Sequence, residues 1–201
     1  MPAPKKVTRE DILEGALNTL RESGFASVNA RSVAKNLGCS TQPIYLSYKN
    51  MDELKTELIK RAIQEHSSRV KECMEGQNIK WSRYCSYGIG LVRFAKEEKQ
   101  LFRFLYLDDG QNGNRQDDIH IPQIIRVIQE DYGYSEEIAR QFHRDMTFYS
   151  FGIAVMVNKG SLEISIDDLA TTFHREFLAL TSIYGVPPKQ LSEKQYGENN
   201  T

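Results

Sequence analysis

The sequence predicts an all-α chain in two helical parts, a three-helix N-terminal head built around a tight turn and a larger helical body. Three observations carry that prediction. Apolar residues recur at helical spacing along most of the chain, with no convincing strand alternation. Residues suited to start a helix, Thr8, Asn29, Ser40 and Asn50, stand just ahead of such runs. The stretch "LGCSTQPIYLSYKNMDEL", Leu37 to Leu54, carries two start signals, a glycine and a proline in eighteen residues.

In chain order, Thr8 with Asp11 three residues later forms a weakened capping box, and Ile12, Leu13, Ala16, Leu17 and Leu20 follow as a first helix ending at Gly24. Asn29 caps a second helix, whose Val33, Ala34 and Leu37 share one face. Gly38 suits the left-handed residue that closes it. A third helix runs from Ser40 to Lys49, with Pro43 in its first turn, where the missing N–H has no helical partner to lose, and with Ile44 and Tyr48 four apart. Helix, three-residue turn, helix is the outline of a helix-turn-helix. Its outer face carries Thr41, Gln42, Tyr45, Ser47 and Lys49, groups able to meet base edges and phosphates. Short turns and solvated polar faces also occur in many all-α proteins without that role.

A fourth helix starts at Asn50, with Asp52 and Glu53 suited to its N-terminus, and continues through Leu54, Leu58 and Ala62 beyond Val70. Residues 75–80, "EGQNIK", mark an approximate boundary. The body reads as helices over 81–97, 99–107, 121–132, 135–158 and 166–184. The polar loop "DDGQNGNRQDD" starting at Asp108 fails as a calcium loop, because Gly110 falls at the third ligand position and Ile119 where the bidentate glutamate belongs. After Tyr184 the chain has little to bury, and a mobile tail is expected over 186–201.

At 201 residues and 40% hydrophobic, the chain is long enough for a sizeable core, and two units are expected. The net charge of -1 is unevenly placed: residues 1–50 hold 7 Lys or Arg against 4 Asp or Glu, and the remainder 19 against 23. A head at +3 on a body at -4 fits an anionic partner met by one end. No run is long and apolar enough for a membrane span, and the start "MPAPKKVTRE" lacks a signal peptide's apolar core, so a cytoplasmic location is expected, with no membrane partner. Cys39, Cys73 and Cys85 are odd in number and widely spaced, which favours reduced thiols over a disulfide framework or zinc site and leaves open a redox role for Cys39 in the turn. No phosphate loop, nucleophile elbow or HExxH pair occurs, and His66, His120, His143 and His174 lie on separate predicted elements. Neither an enzyme, a cofactor nor a metal is expected.

The segment "ILEGALNTLRESGFASVNARSVAKNLGCSTQPIYLSYKNMDEL", Ile12 to Leu54, resembles the tetracycline-repressor (TetR) family of transcription regulators. The likeness rests on the alanine-containing first helix, the Gly24-Phe25 corner, Arg31, Val33-Ala34, Gly38, Ile44-Tyr45 and the aromatic Tyr48, matched without a gap. The resemblance implies that the helix from Ser40 to Lys49 lies in the major groove, with Thr41, Gln42 and Pro43 toward base edges and Tyr45 toward a phosphate. It places Asn29, Arg31 and Ser32 near the DNA backbone. Where many members carry a lysine after the cap of the fourth helix, this chain has Met51, and Lys49 or Lys55 would substitute.

The resemblance thus implies a DNA-binding domain over 1–55 and a ligand-binding and dimerisation domain over 56–185. Ile138, Phe142, Met146, Tyr149, Ile153 and Val157 form one stripe, and Ile166, Leu169, Phe173, Phe177, Leu180 and Tyr184 another. Two such helices from each protomer would make a four-helix homodimer seam; the same stripes would equally serve as intrachain core. Trp81, Tyr84, Tyr87, Phe102, Arg103 and Tyr106 are candidates to line a pocket for a small-molecule inducer, although aromatics can equally be core. The implied function is a homodimeric repressor released from double-stranded operator DNA by that inducer. The rival readings are a helical small-molecule-binding protein or enzyme, or an adaptor whose head binds protein.

Overall fold

The computed structural model describes residues 7–75, 80–108 and 121–185. Most of the loop from Asp108 to Asp118, most of the 75–80 boundary, His120 and the expected tail lie outside these. Among the described residues every regular element is helical. The α-helices are α1 (Arg9–Ser23), α2 (Ala30–Leu37), α3 (Gln42–Ser47), α4 (Met51–Glu75), α5 (Arg83–Glu97), α6 (Lys99–Phe102), α7 (Ile121–Tyr132), α8 (Glu136–Lys159) and α9 (Ile166–Tyr184). A 3-10 turn covers Phe25–Ser27, and a π-helical turn, Arg103–Leu107, continues from α6.

Two compact units divide the chain: Met1–His66 with Glu98–Gly110, and Ser67–Glu97 with Gln111–Thr201. The first unit packs α1 on α2, α3 and α6. Local chemistry sets its ends. Thr8 and Asp11 form the reciprocal box at the start of α1, with the Asp11 N–H donating to Thr8 Oγ1 at 3.1 Å and the Thr8 N–H donating to Asp11 Oδ2 at 2.8 Å. Gly15, inside α1, lets α2 come close, since a Cβ there would stand 2.8 Å from Leu37 Cγ. Ile12, Leu17, Leu20, Ile44, Leu54 and Leu58 are fully buried between these helices.

The segment after Glu98 differs from the sequence reading in two ways. It packs in the first unit rather than the body, because Leu101 and Phe102 are fully buried and Phe104 stacks on Phe25 with ring centroids 4.3 Å apart. It is also not one α-helix over 99–107, since the Asp108 N–H reaches back five residues to the Arg103 carbonyl at 2.8 Å. The wider turn lets Phe104 and Leu105 both point inward.

In the second unit α5 packs on α7, α8 and α9, and α8 also packs on α7 and α9. Ser135 caps α8 and Ser165 caps α9, the latter with its Oγ accepting from the Asp168 N–H at 3.1 Å. Gly160 ends α8 and Gly185 ends α9, both in the left-handed conformation. The core is aromatic: the Phe142 and Phe177 rings meet edge to face at 5.3 Å, and Tyr132 lies 4.7 Å from Phe177. A Cβ on Gly88 would come within 2.9 Å of the Phe173 ring, so that ring sits directly on the α5 backbone.

This packing corrects the predicted seam. Phe142, Met146, Leu169, Phe173, Phe177 and Leu180 are all buried inside the second unit and are intrachain core. Tyr149 and Ile153 are half-buried, and Tyr149 meets Phe173 edge to face at 6.4 Å. The large apolar side chains left exposed on these helices are Phe148 and Met156 on α8, and Ile166, Leu178 and Ile183 on α9. The stripes expected at a seam thus face the chain's own core.

Phe142→Ala should therefore destabilise the second unit by about 3–5 kcal/mol, the usual cost of emptying a fully buried aromatic site. Urea titration followed by circular dichroism measures it, and an unchanged midpoint would show that the ring is not core.

Candidate nucleic-acid interface

The helix-turn-helix is assembled by backbone capping. Asn29 Oδ1 accepts from the N–H groups of Arg31 and Ser32 at 3.0 and 3.1 Å, and Ser32 Oγ accepts from the Asn29 N–H at 3.0 Å. Ser32 Oγ also donates to the Ser27 carbonyl at 2.7 Å. Both side-chain oxygens are thus engaged within the chain, while the Arg31 side chain is exposed. Gly38, at φ 66° and ψ 31°, ends α2 in the left-handed region, and the Cys39 N–H reaches the Ala34 carbonyl at 3.0 Å. Cys39 is half-buried in that turn.

The second helix of the motif is shorter than predicted. It spans Gln42–Ser47, its N-cap is Thr41 rather than Ser40, and Thr41 makes no side-chain cap bond; Ser40 and Lys49 flank it. Pro43 stands in the first turn as expected. Ile44 and Tyr48 point inward at 1% and 2% exposure. Opposite them, Gln42, Tyr45 and Leu46 point out, Tyr45 at 59% and Leu46 at 79%, and Thr41, Pro43 and Ser47 are half-buried at the sides. Leu46 belongs to this outward face and was missed, because a lone leucine in a short apolar pattern reads as core.

Arg9 grips the C-terminal end of α3. Its Nη1 donates to the Ser47 carbonyl, its guanidinium lies 3.9 Å from the centre of the Tyr48 ring, and its Nη2 meets Glu53 at 2.9 Å and also pairs with Glu57. The Tyr48 hydroxyl donates to Glu57 Oε2 at 3.0 Å. Glu53 also receives the Lys49 N–H at 2.8 Å, and the Glu53 N–H donates to Asn50 Oδ1 at 2.9 Å. Arg9 holds the Glu53 and Glu57 carboxyls below the usual carboxylate range, and those carboxylates raise the guanidinium in turn. Burial, and then the bond to Glu57, pushes the Tyr48 hydroxyl up.

Other arginines of the first unit are likewise paired: Arg21 reaches Glu65 at 3.0 Å and Glu98 at 3.1 Å, and Arg61 reaches Glu65 at 3.3 Å. Around the motif the pattern reverses. Arg31, Lys35 and Lys49 are exposed and form no ion pair with the described residues. An exposed amide, phenol and isobutyl group with unpaired cations nearby is a surface suited to a polyanion with readable edges.

The second unit contains a recess of about 420 Å³ of space between atoms, counting its open mouth, formed by α5, α8, α9 and Tyr132. Of the predicted pocket residues Tyr84 and Tyr87 line it. Trp81 is half-buried outside the lining, with Lys80 Nζ 4.6 Å from its ring. Phe102, Arg103 and Tyr106 stand in the first unit, where Phe102 is core, Arg103 is exposed and the Tyr106 hydroxyl lies 3.1 Å from His66 Nε2. The walls that sequence reasoning missed come from α8 and α9, among them His143, Thr147, Ser150 and His174. The first three step by four and three along one face of α8, a polar stripe that was legible in principle.

Among the described residues no Asp, Glu, Lys or Arg lines the recess. The Tyr84 hydroxyl lies 3.1 Å from His143 Nδ1. Burial pushes the Cys85 thiol up to about 12 and lowers His174, so both favour their neutral forms. Among the described residues no group of three or more His, Cys, Asp or Glu side chains could hold a metal ion, and no helix is long and apolar enough to cross a membrane.

No protein-family model and no curated protein matches the chain. Among solved structures, a TetR-like transcriptional regulator from Rhodococcus sp. RHA1 is similar over 91% of this chain and 99% of its own, with a TM-score of 0.60 at 16% sequence identity. A second transcriptional regulator from the same organism is similar over 88% of this chain and 96% of its own, with a TM-score of 0.55 at 13% identity. The chain has the TetR-like regulator fold. At such identities the likeness is one of architecture. The TetR-like arrangement extends well beyond the segment Ile12 to Leu54 on which the sequence resemblance rests.

The Arg9 cluster should make the first unit acid-sensitive. Glu53 and Glu57 titrate lower in the folded chain than in the unfolded one, so their contribution is present above the unfolded carboxylate pKa and is lost as pH falls through the folded values. Thermal melting of wild type and Arg9→Gln, followed from neutral pH down through the carboxylate range, should show a shallower acid decline in the variant. Parallel curves would show that the cluster does not set that response.

Proposed function

We propose that the chain is a sequence-specific DNA-binding transcription regulator of the TetR type, a cytoplasmic homodimer released from operator DNA by a small molecule bound in the body. The observation that carries this reading is the outward face of α3, where Gln42, Tyr45 and Leu46 stand clear of the core with Arg31, Lys35 and Lys49 exposed around the motif. Thr41, Gln42 and Pro43 then face base edges, with Ser40 and Ser47 at the margins. Tyr45 and Lys49 meet phosphates. Arg31 and the N–H groups at the start of α2 position the DNA backbone, while Asn29 and Ser32 act through the cap that holds those groups in place.

A two-fold operator calls for two copies of the head. The surface we assign to the partner copy is the one the intrachain core leaves out: Phe148, Gly152 and Met156 at four-residue steps along α8, with Leu178 and Ile183 on α9. The recess between α5, α8 and α9 is assigned to the small molecule. With no Asp, Glu, Lys or Arg among its described lining residues it favours an uncharged ligand, since a buried ion there would lose hydration with no such counter-charge to replace it. Occupancy releases DNA if the occupied and empty bodies hold the two heads at different separations.

Gel-shift titration on DNA from upstream of the gene tests the reading, with affinity expected to fall steeply as salt rises. Failure to shift any duplex would leave a helical small-molecule-binding protein as the better account. Gln42→Ala should cost about 1–3 kcal/mol on the preferred operator and relax preference at one base pair per half-site, whereas Tyr45→Phe should weaken all duplexes alike. Base-preference selection on both variants measures this, and an unchanged profile for Gln42→Ala would remove Gln42 from the groove. Ile183→Asp should yield folded monomers with weakened operator binding, because a carboxylate at an apolar interface lacks a partner. Sedimentation showing intact dimers would move the interface off this end of α9.

A further inference from the structure

We propose that Leu46 reads the C5-methyl group of a thymine in each operator half-site, an inference that rests on α3 entering the major groove. Gln42, Tyr45 and Leu46 fall at helical steps of three and four on the outward side of α3, away from Ile44 and Tyr48, and the exposed Lys49 follows just past its end, so the four form one outward set. Three of them carry hydrogen-bonding groups. Leu46 is the aliphatic member, and at 79% exposure it is also the most exposed of the large apolar side chains among the described residues. An isobutyl group cannot form a hydrogen bond with a phosphate oxygen or with the amino, carbonyl or ring-nitrogen groups of a base edge. Pressed against any of these, it strips water from a polar atom and returns nothing.

The major-groove edge of B-DNA offers one apolar feature, the thymine methyl. Contact between that methyl and Leu46 removes both from water, which corresponds to about fourfold in affinity for each methyl buried. A groove-docked α3 therefore gains from thymine opposite Leu46 and loses at other bases, a specificity term independent of the Gln42 amide. The exposure of Leu46 also makes it a mild site to change, because its truncation opens no cavity in the unit's core.

The experiment uses the full chain and an operator obtained by selecting bound fragments from random duplexes. Each thymine is replaced in turn by deoxyuridine, which keeps the pairing and removes only the methyl. At one position per half-site the wild type should weaken about fourfold for each methyl removed, while Leu46→Ala, already weaker on the thymine operator, should show no further loss there. Circular dichroism melting of Leu46→Ala should match wild type. Wild-type indifference to every replacement overturns the inference, and so does an equal response of wild type and Leu46→Ala at all positions. Those outcomes leave sequence-specific DNA binding intact, whereas recovery of no preferred operator would overturn the DNA-binding reading and this inference with it.

Discussion

A helix of six residues has almost no stability of its own, because nucleating one turn costs more than so few hydrogen bonds return. Everything about how α3 is aimed must therefore come from what grips it. Ile44 and Tyr48 anchor its inner side in the core, Pro43 fixes its first turn, and Arg9 holds its last carbonyl, that of Ser47, from outside the motif. The Arg9 guanidinium brings a cation to the C-terminal end of α3, where the helix dipole favours one. Glu53 and Glu57 then hold Arg9, and Glu53 also serves the start of α4, where its carboxylate receives the Lys49 N–H. A short helix can thus present its outer side chains rigidly because charges on α1 and α4 lock both its end and the chain leaving it.

The second unit meets a different constraint, since it keeps polar groups inside an aromatic core. Several are matched between elements far apart in the chain: Tyr84 with His143, the Tyr132 hydroxyl with Ser82 Oγ at 3.3 Å, and Asn158 Nδ2 with the Ala95 carbonyl at 3.0 Å. The recess forms where α5, α8 and α9 bring hydroxyl and imidazole groups together with Phe173 and Phe177 but supply no Asp, Glu, Lys or Arg. Helix α8 carries two separate faces, with Phe142 and Met146 facing into the unit and Phe148 and Met156 facing out of it. It contributes a wall to the recess and an exposed apolar stripe at once.

What was legible in the sequence was what local chemistry decides. The Thr8–Asp11 box, the Asn29 cap, the left-handed Gly38 and the extents of α7 and α9 depend on residues within a few positions of each other. What was not legible depends on long-range packing. A stripe of period 3.6 shows which side of a helix is apolar, but the side that packs on the chain's own helices looks the same as one that packs on a second copy; hence Phe173 and Phe177, expected at a seam, prove to be intrachain core, and Ile183 and Phe148 are the large apolar side chains left exposed. Phe102 and Tyr106 looked like neighbours of Tyr84 in a run of aromatics, yet the chain carries them into the first unit, against α1 and His66. The Arg9 clasp joins residues about forty positions apart, and no spacing rule connects them.

The same distinction governs how charge should be read. The head's excess of +3 counted every cation alike, but Arg9 and Arg21 are paired to carboxylates and are part of the scaffold. The charge that remains available to a polyanion is set by the exposed cations near the motif, Arg31, Lys35 and Lys49 among them, and by the N–H groups at the start of α2. On the DNA-binding reading proposed above, attraction to phosphates acts through such cations and cannot by itself make one sequence preferable to another. Discrimination then falls on the side chains of α3 that face outward, one able to form paired hydrogen bonds and one able only to exclude water. A short helix anchored by Ile44 and Tyr48 and gripped by Arg9 at its C-terminal end suits that task, because a contact that rejects the wrong base edge works only if the side chain cannot move aside.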